Sequence, residues 1–256
     1  MRPLLLILVA AIAMGGCLRS TSTILVNKDG TAVITDTVLL TKQTMNMWKE
    51  LAKATKTPLE TVLREQWNDS SFYARAAELG EGVTTRSVRM ITASGQAGFV
   101  SVYDARDITK VRFNKNTFHE RMGSGESEGA AGPPLEAAYV TFARDGNVLT
   151  ITNPALAPDD PPGDTTAPMA ESDIGQQVAM VKKIMKDLEL SLRIRVASGI
   201  AQTDASFASG DVITIIHIPF NAVIKRLEKD PDVFRMMSGM KSPAPYDMEK
   251  AFNSLS

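Results

Sequence analysis

The sequence predicts an α+β fold, an antiparallel β-sheet built from hairpins with helices packed on one face. Apolar and polar residues alternate on either side of turn signals at Lys28-Asp29-Gly30, Arg144-Asp145-Gly146 and Ser209-Gly210, the pattern of strands joined by hairpins. Helical periodicity is grouped between these hairpins. A parallel sheet would instead need a crossover after nearly every strand.

In chain order, Ile24 to Leu40 reads as the first hairpin. A helix over Gln43 to Thr55 follows, with Met47, Trp48, Leu51 and Ala54 on one side. Thr57-Pro58-Leu59-Glu60 spells a capping box, with Thr57 as N-cap and Pro58 at the first helical position. Asp69 or Ser70 caps a third helix that places Phe72, Tyr73 and Ala76 on a face and stops at Gly80. Strands are expected at Val83 to Thr92 and Gly98 to Ala105, then a short apolar run from Ile108 to Phe113. Ala138 to Phe142 and Val148 to Thr152 form another hairpin. The stretches 122–136 and 154–168 are rich in Gly, Ser and Pro, lack apolar periodicity and read as flexible loops.

From Glu171 to Asp187, Ile174, Val178, Val181, Met185 and Leu188 recur at alternating steps of four and three, one apolar stripe on a helix. Ile174, Val178, Val181 and Met185 are the candidate lining of an apolar groove beneath the sheet. Leu190 to Val196 alternates as a half-exposed strand. Ile200 to Phe207 and Asp211 to Ile218 are expected to pair around Ser209-Gly210, and helical pieces from Phe220 are broken by Pro231, Pro243 and Pro245.

The first seventeen residues carry a different signal. Arg2 is followed by an apolar run from Leu4 to Met14 that closes on Gly15-Gly16-Cys17. A run of about eleven residues is too short to span a bilayer, which needs about twenty, so it reads as the apolar region of an export signal. Met14-Gly15-Gly16-Cys17 is similar to the lipobox of bacterial lipoproteins, with Met in place of the usual Leu. Cleavage is therefore expected between Gly16 and Cys17, and acylation, palmitate included, at Cys17. Cys17 is the chain's one cysteine, so no disulfide within the molecule can use it, and lipidation explains a lone thiol in an exported protein. The expected organisation is a signal peptide over 1–16, a lipidated cysteine with a short tether over 17–22, and a single α+β domain over 23–256. Leu18 in place of Asp directs such a lipoprotein, in a Gram-negative cell, to the periplasmic side of the outer membrane.

Composition narrows the partners. The chain has 28 Lys+Arg against 29 Asp+Glu, and loss of residues 1–16, whose one charge is Arg2, turns a net charge of -1 into -2. That balance argues against nucleic acid, and 6% aromatic residues argue against base-stacking surfaces. Thirteen methionines suit irregular cores or adaptable apolar grooves.

Catalytic motifs match only in letters. Gly125-Glu126-Ser127-Glu128-Gly129 fits G-x-S-x-G, but loop flanks it on both sides where a strand and a helix are required. Ser238-Gly239-Met240-Lys241 fits S-x-x-K without its partner motifs. His119 lacks the second histidine of H-E-x-x-H, His217 reads as a strand histidine, and Asp159, Asp160 and Asp164 miss the spacing of a calcium loop. No metal, cofactor or catalytic residue is expected.

Ile24-Leu25-Val26-Asn27-Lys28-Asp29-Gly30, Val102 to Val111 and Leu192 to Ile218 give the chain a resemblance to bacterial lipoproteins of the LppM-like family. The resemblance implies an exported α+β domain that holds an apolar or lipid-like ligand. This chain departs from it in lacking a C-terminal membrane helix and in carrying the Gly-rich and Pro-rich loops. The sequence thus points to a non-enzymatic domain of the cell envelope, anchored by lipid, that binds a lipid-like ligand or an envelope protein. The alternatives are an envelope hydrolase using Ser127 or Ser238 and a structural component of an outer-membrane assembly.

Overall fold

The computed structural model describes residues 18–66, 69–93, 96–114, 139–154, 179, 182 and 187–229. Strands β1 (Leu18–Val26) and β2 (Ala32–Leu40) pair at all nine positions of β1, from Leu18 opposite Leu40 to Val26 opposite Ala32. Gly30 adopts φ +91° in the turn between them, and the Asp29 carboxylate accepts from the Thr31 N–H at 2.9 Å. The tether expected over 17–22 is thereby corrected, because residues 18–22 are already strand. Ser20 and Ser22 are buried, so the inward face of β1 begins with small polar side chains that hydrophobic alternation cannot register.

Helix α1 (Lys42–Thr55) follows β2 directly, with Thr41 as its N-cap. The face it buries is Met45, Trp48 and Ala52, whereas Met47 and Leu51 are half-buried and Ala54 is exposed. The apolar stripe is thus rotated from the expected one. Helix α2 (Leu59–Gln66) begins without the predicted capping box. The Pro58 carbonyl accepts from the N–H groups of Thr61 and Val62, while the Thr57 hydroxyl donates backward to the Thr55 carbonyl at 3.4 Å. Helix α3 (Asp69–Leu79) already contains Asp69 and Ser70, the two residues expected to cap it, and residues 67–68 before it lie outside the described residues. Phe72 and Ala76 face the core from α3, and Tyr73 is exposed.

After α3 come β3 (Val83–Ala93) and β4 (Gln96–Ala105), a 3-10 turn over Ile108–Lys110, then β5 (Arg112–Asn114), β6 (Tyr139–Asp145) and β7 (Val148–Thr152). Of the expected helix over 171–187, only Ala179 and Lys182 are described as helical, and Ile174, Val178, Val181 and Met185 lie outside the described residues. At Asp187 the backbone turns through φ +68°, where the Asn221 side chain accepts from the Asp187 N–H, and β8 (Glu189–Val196) begins. Where Ile200 to Phe207 was expected to be a strand, only β9 (Ala208–Ser209) forms, pairing with β10 (Val212–Pro219). Helix α4 (Phe220–Lys229) follows.

Seven strands make one sheet in the order β3-β4-β2-β1-β8-β10-β9, and β5-β6-β7 make a second. Every pair is antiparallel except β1 with β8, which run parallel from Arg19 opposite Glu189 to Val26 opposite Val196. The α+β architecture expected from the sequence is present. Helices and the small sheet cover one face. Tyr103, Ile34, Ile24 and Ile194 form a buried row across four strands, packed in one cluster with Phe113, Val140 and Phe142 of the small sheet and Phe220 of α4. A smaller cluster joins Leu40 and Ala97 of the large sheet to Met45, Trp48, Val62 and Leu63. Full burial of each such Ile, Leu or Phe contributes about 1.5–3 kcal/mol.

Gly98 of β4 lies opposite Leu39, so near β2 that an added Cβ would collide with the Val38 carbonyl oxygen. That oxygen belongs to a paired strand and cannot swing aside. Gly98→Ala is expected to destabilise the protein by about 1–3 kcal/mol. An unchanged thermal midpoint for this variant would contradict the close approach.

Candidate functional site: the anchored end of the sheet and the buried charges

β1 is the middle strand of seven, and Leu18 is its first residue. Cys17, the expected lipidation residue, and Gly16, on the other side of the expected cleavage point, lie outside the described residues, and the chain they precede enters the sheet at once. At this end of the sheet stand the close of β2, the start of β8 and the close of β10. Arg19 forms an ion pair with Glu189 at 3.1 Å, and His217 Nδ1 lies 4.0 Å from the same carboxylate. Ser191 pairs directly opposite His217.

Glu189, Ser191 and His217 thus share one face of two adjacent strands, a set with the residue types of a serine hydrolase. Its geometry does not assemble one. The Ser191 side chain is wholly buried, and its hydroxyl has no hydrogen-bond partner, so neither access nor a base is provided. His217, read from the sequence as a strand histidine, is one, with its side chain 42% exposed. The alternation of Ser191, Arg193 and Arg195 with Leu190, Leu192 and Ile194 in β8 was legible, but the burial of Ser191 and its pairing with His217 are matters of packing and register.

The inward face holds a charged group that the sequence did not signal. Ser22, Asp36 and Ser101 are cross-strand neighbours on β1, β2 and β4, and all three are buried. The Ser22 hydroxyl donates to Asp36 Oδ1 at 2.6 Å. Arg75 descends from α3 and brings its Nε to 3.5 Å from Asp36 Oδ2, an ionic contact without hydrogen-bond alignment. The same guanidinium lies 4.9 Å from the centre of the Phe113 ring and meets the exposed carboxylate of Glu78 at 3.2 Å. Oδ1 of Asp36 accepts from Ser22 and Oδ2 faces Arg75, so this carboxylate serves as a counter-ion.

At the opposite end of the sheet, Arg144 of β6 reaches across to donate to the Lys28 carbonyl at 2.8 Å, tying the small sheet to the first hairpin. Asp107 accepts from the Thr109 N–H at 2.9 Å, and Asp29 does the same for Thr31. These bonds hold both carboxyls below the usual value near 3.8, with a smaller contribution from Arg144. Asp211 is lowered likewise by its bond to Arg195. A carboxyl with a depressed folded pKa contributes stability that is complete above its unfolded pKa and is lost as pH falls through the folded value. Acidification below the unfolded value is therefore expected to lower the thermal midpoint. Asp29→Asn with Asp107→Asn should flatten that acid limb, and an unaltered limb would remove these two groups as its source.

Ser127, Ser238, His119, Asp159, Asp160 and Asp164 all lie outside the described residues. Among the described residues no cluster of three or more His, Cys, Asp or Glu has the arrangement to hold a metal ion, and no helix is long and apolar enough to cross a membrane. No family model matches the chain, and neither a curated protein nor a solved structure matches it.

Proposed function

We propose that this chain is a membrane-anchored lipoprotein of the bacterial cell envelope, cleaved after Gly16 and acylated at Cys17, with a non-enzymatic domain that binds a lipid-like ligand or an envelope protein. One observation carries the reading: the chain's lone cysteine closes an apolar run and two glycines, and the folded sheet starts at the next residue. An acylated Cys17 would hold the central strand against the bilayer surface with no intervening stalk. In a Gram-negative cell Leu18 directs the protein to the periplasmic side of the outer membrane.

Binding is preferred to catalysis because the motifs at Ser127 and Ser238 lack the flanking elements and partner motifs that such chemistry needs. The likeness of 24–30, 102–111 and 192–218 to LppM-like lipoproteins supports the lipid-like ligand. Ile174, Val178, Val181 and Met185 remain its proposed lining.

Intact-mass measurement of the protein purified from native membranes tests the anchor. The expected mass begins at Cys17 and carries acyl chains, whereas a free thiol or retention of residues 1–16 would overturn it. Native mass spectrometry of the same sample in mild detergent tests the ligand. A lipid retained at a defined stoichiometry is expected, and its absence from every charge state counts against the lipid-like ligand.

A further inference from the structure

Resting on the proposed anchor, we infer that one flank of α1 is a docking surface for anionic phospholipid headgroups, which orients the domain on its membrane. Residues 42–56 contain Lys42, Lys49, Lys53 and Lys56 against Glu50 alone, a local charge of +3 in a chain whose net charge is -1. All four lysines are exposed. Met45, Trp48 and Ala52 turn inward, and Leu51 packs against the same apolar cluster. Lys42, Lys49 and Lys53, spaced seven and four residues apart, share one flank of the helix, beside the buried face of Met45, Trp48 and Ala52, and Lys56 is the C-cap.

The helix that bears the stripe accounts for only part of it, since Lys53 in the last turn and Lys56 at the C-cap suit the negative end of the helix dipole but Lys42 and Lys49 do not. The positive end of a helix dipole favours acidic residues, yet the first turn of α1 has none and begins with Lys42. Lys53 meets Glu50 at 2.8 Å, but both side chains are over 70% exposed, where such a pair contributes little. A segregated cationic flank fits an external anionic surface.

Its position supplies that surface. Leu40 is the cross-strand partner of Leu18, and Thr41 and Lys42 follow, so α1 starts at the end of the sheet where Cys17 enters. Lys28 in the first turn and Lys110 in the 3-10 turn mark the other end. The Ile108 N–H donates to the Gly30 carbonyl there, and nine strand residues separate the two ends by about 30 Å. An acyl anchor combined with a basic patch is the two-signal arrangement that sets both attachment and tilt.

The test is amine footprinting of the lipidated protein, reconstituted in phosphatidylcholine vesicles with or without phosphatidylglycerol and exposed to a membrane-impermeant acylating reagent. With phosphatidylglycerol present, Lys42, Lys49, Lys53 and Lys56 are expected to react roughly threefold or more slowly, since each lysine near such a surface gains about fivefold in partition. Lys28 and Lys110 should keep their rates, and 1 M salt, with its screening length of about 3 Å, should restore the four. Equal rates in both vesicle types, or slowing that ignores lipid charge and salt, would overturn the inference while leaving the anchor intact. Failure of the protein to float with either vesicle defeats the anchor and, with it, this inference.

Discussion

Asp36→Ala is expected to destabilise the protein by about 3–5 kcal/mol, because it strands a buried guanidinium. Asp36 and Arg75 have side chains only 4% and 5% exposed, and the remaining counter-ion, Glu78, is 57% exposed and largely solvated. The substitution also deprives the buried Ser22 hydroxyl of its acceptor. Against a typical total stability of about 5–15 kcal/mol, that loss is enough to unfold a marginal protein. Arg75→Met should cost a similar amount by leaving Asp36 with Ser22 alone. The double variant Asp36→Leu, Arg75→Met should recover most of the loss, since an apolar pair needs no counter-ion. Urea unfolding of the wild type, Asp36→Leu, Arg75→Met and the double variant reads the coupling directly. Additive losses, or a cost below about 1 kcal/mol for Asp36→Ala, would place the pair among solvated surface contacts.

After a high-salt wash, Cys17→Ser is expected to be found in the soluble fraction instead of the membrane fraction, with the fold unchanged. Acyl chains contribute about 0.8 kcal/mol for each buried methylene, and more than one chain is needed for firm attachment, so on the proposed acylation the substitution removes the main term at once. The basic flank of α1 alone gives a salt-sensitive association that a high-salt wash reverses. The fold should tolerate the change because no disulfide is lost and pairing begins at Leu18. A Cys17→Ser protein that still sediments with membranes after the wash, with an unaltered thermal midpoint, would show that this residue is not the anchor.

Turns and local periodicity are written in short stretches of sequence, which is why so many elements were legible. The turns at Gly30, Gly146 and Gly210 all carry positive φ, a demand that glycine advertises locally, and all three were located from the sequence, whereas of their strands only the pair flanking Gly146 was read with small errors at the ends. The start of β1 was misread because Arg19 to Thr23 is polar on both faces, and the stretch 200–207 was misread because spaced apolar residues mimic a strand that finds no partner. The candidate anchor at Cys17 and the lysines of α1 are also sequence features, one a motif and the other a spacing.

Three things were decided only in three dimensions. The parallel pairing of β1 with β8 joins segments far apart in the chain, and no local pattern encodes which distant edge a strand will meet. The separation of β5-β6-β7 into a second sheet depends on Phe113, Val140 and Phe142 finding the same core as Ile24 and Ile34. The ion pair of Asp36 with Arg75 needs a strand and a helix brought together face to face, since a charged residue in an alternating strand reads as outward until a partner buries with it. Short-range chemistry determined the elements of this protein, and long-range packing determined which of its polar groups left the water.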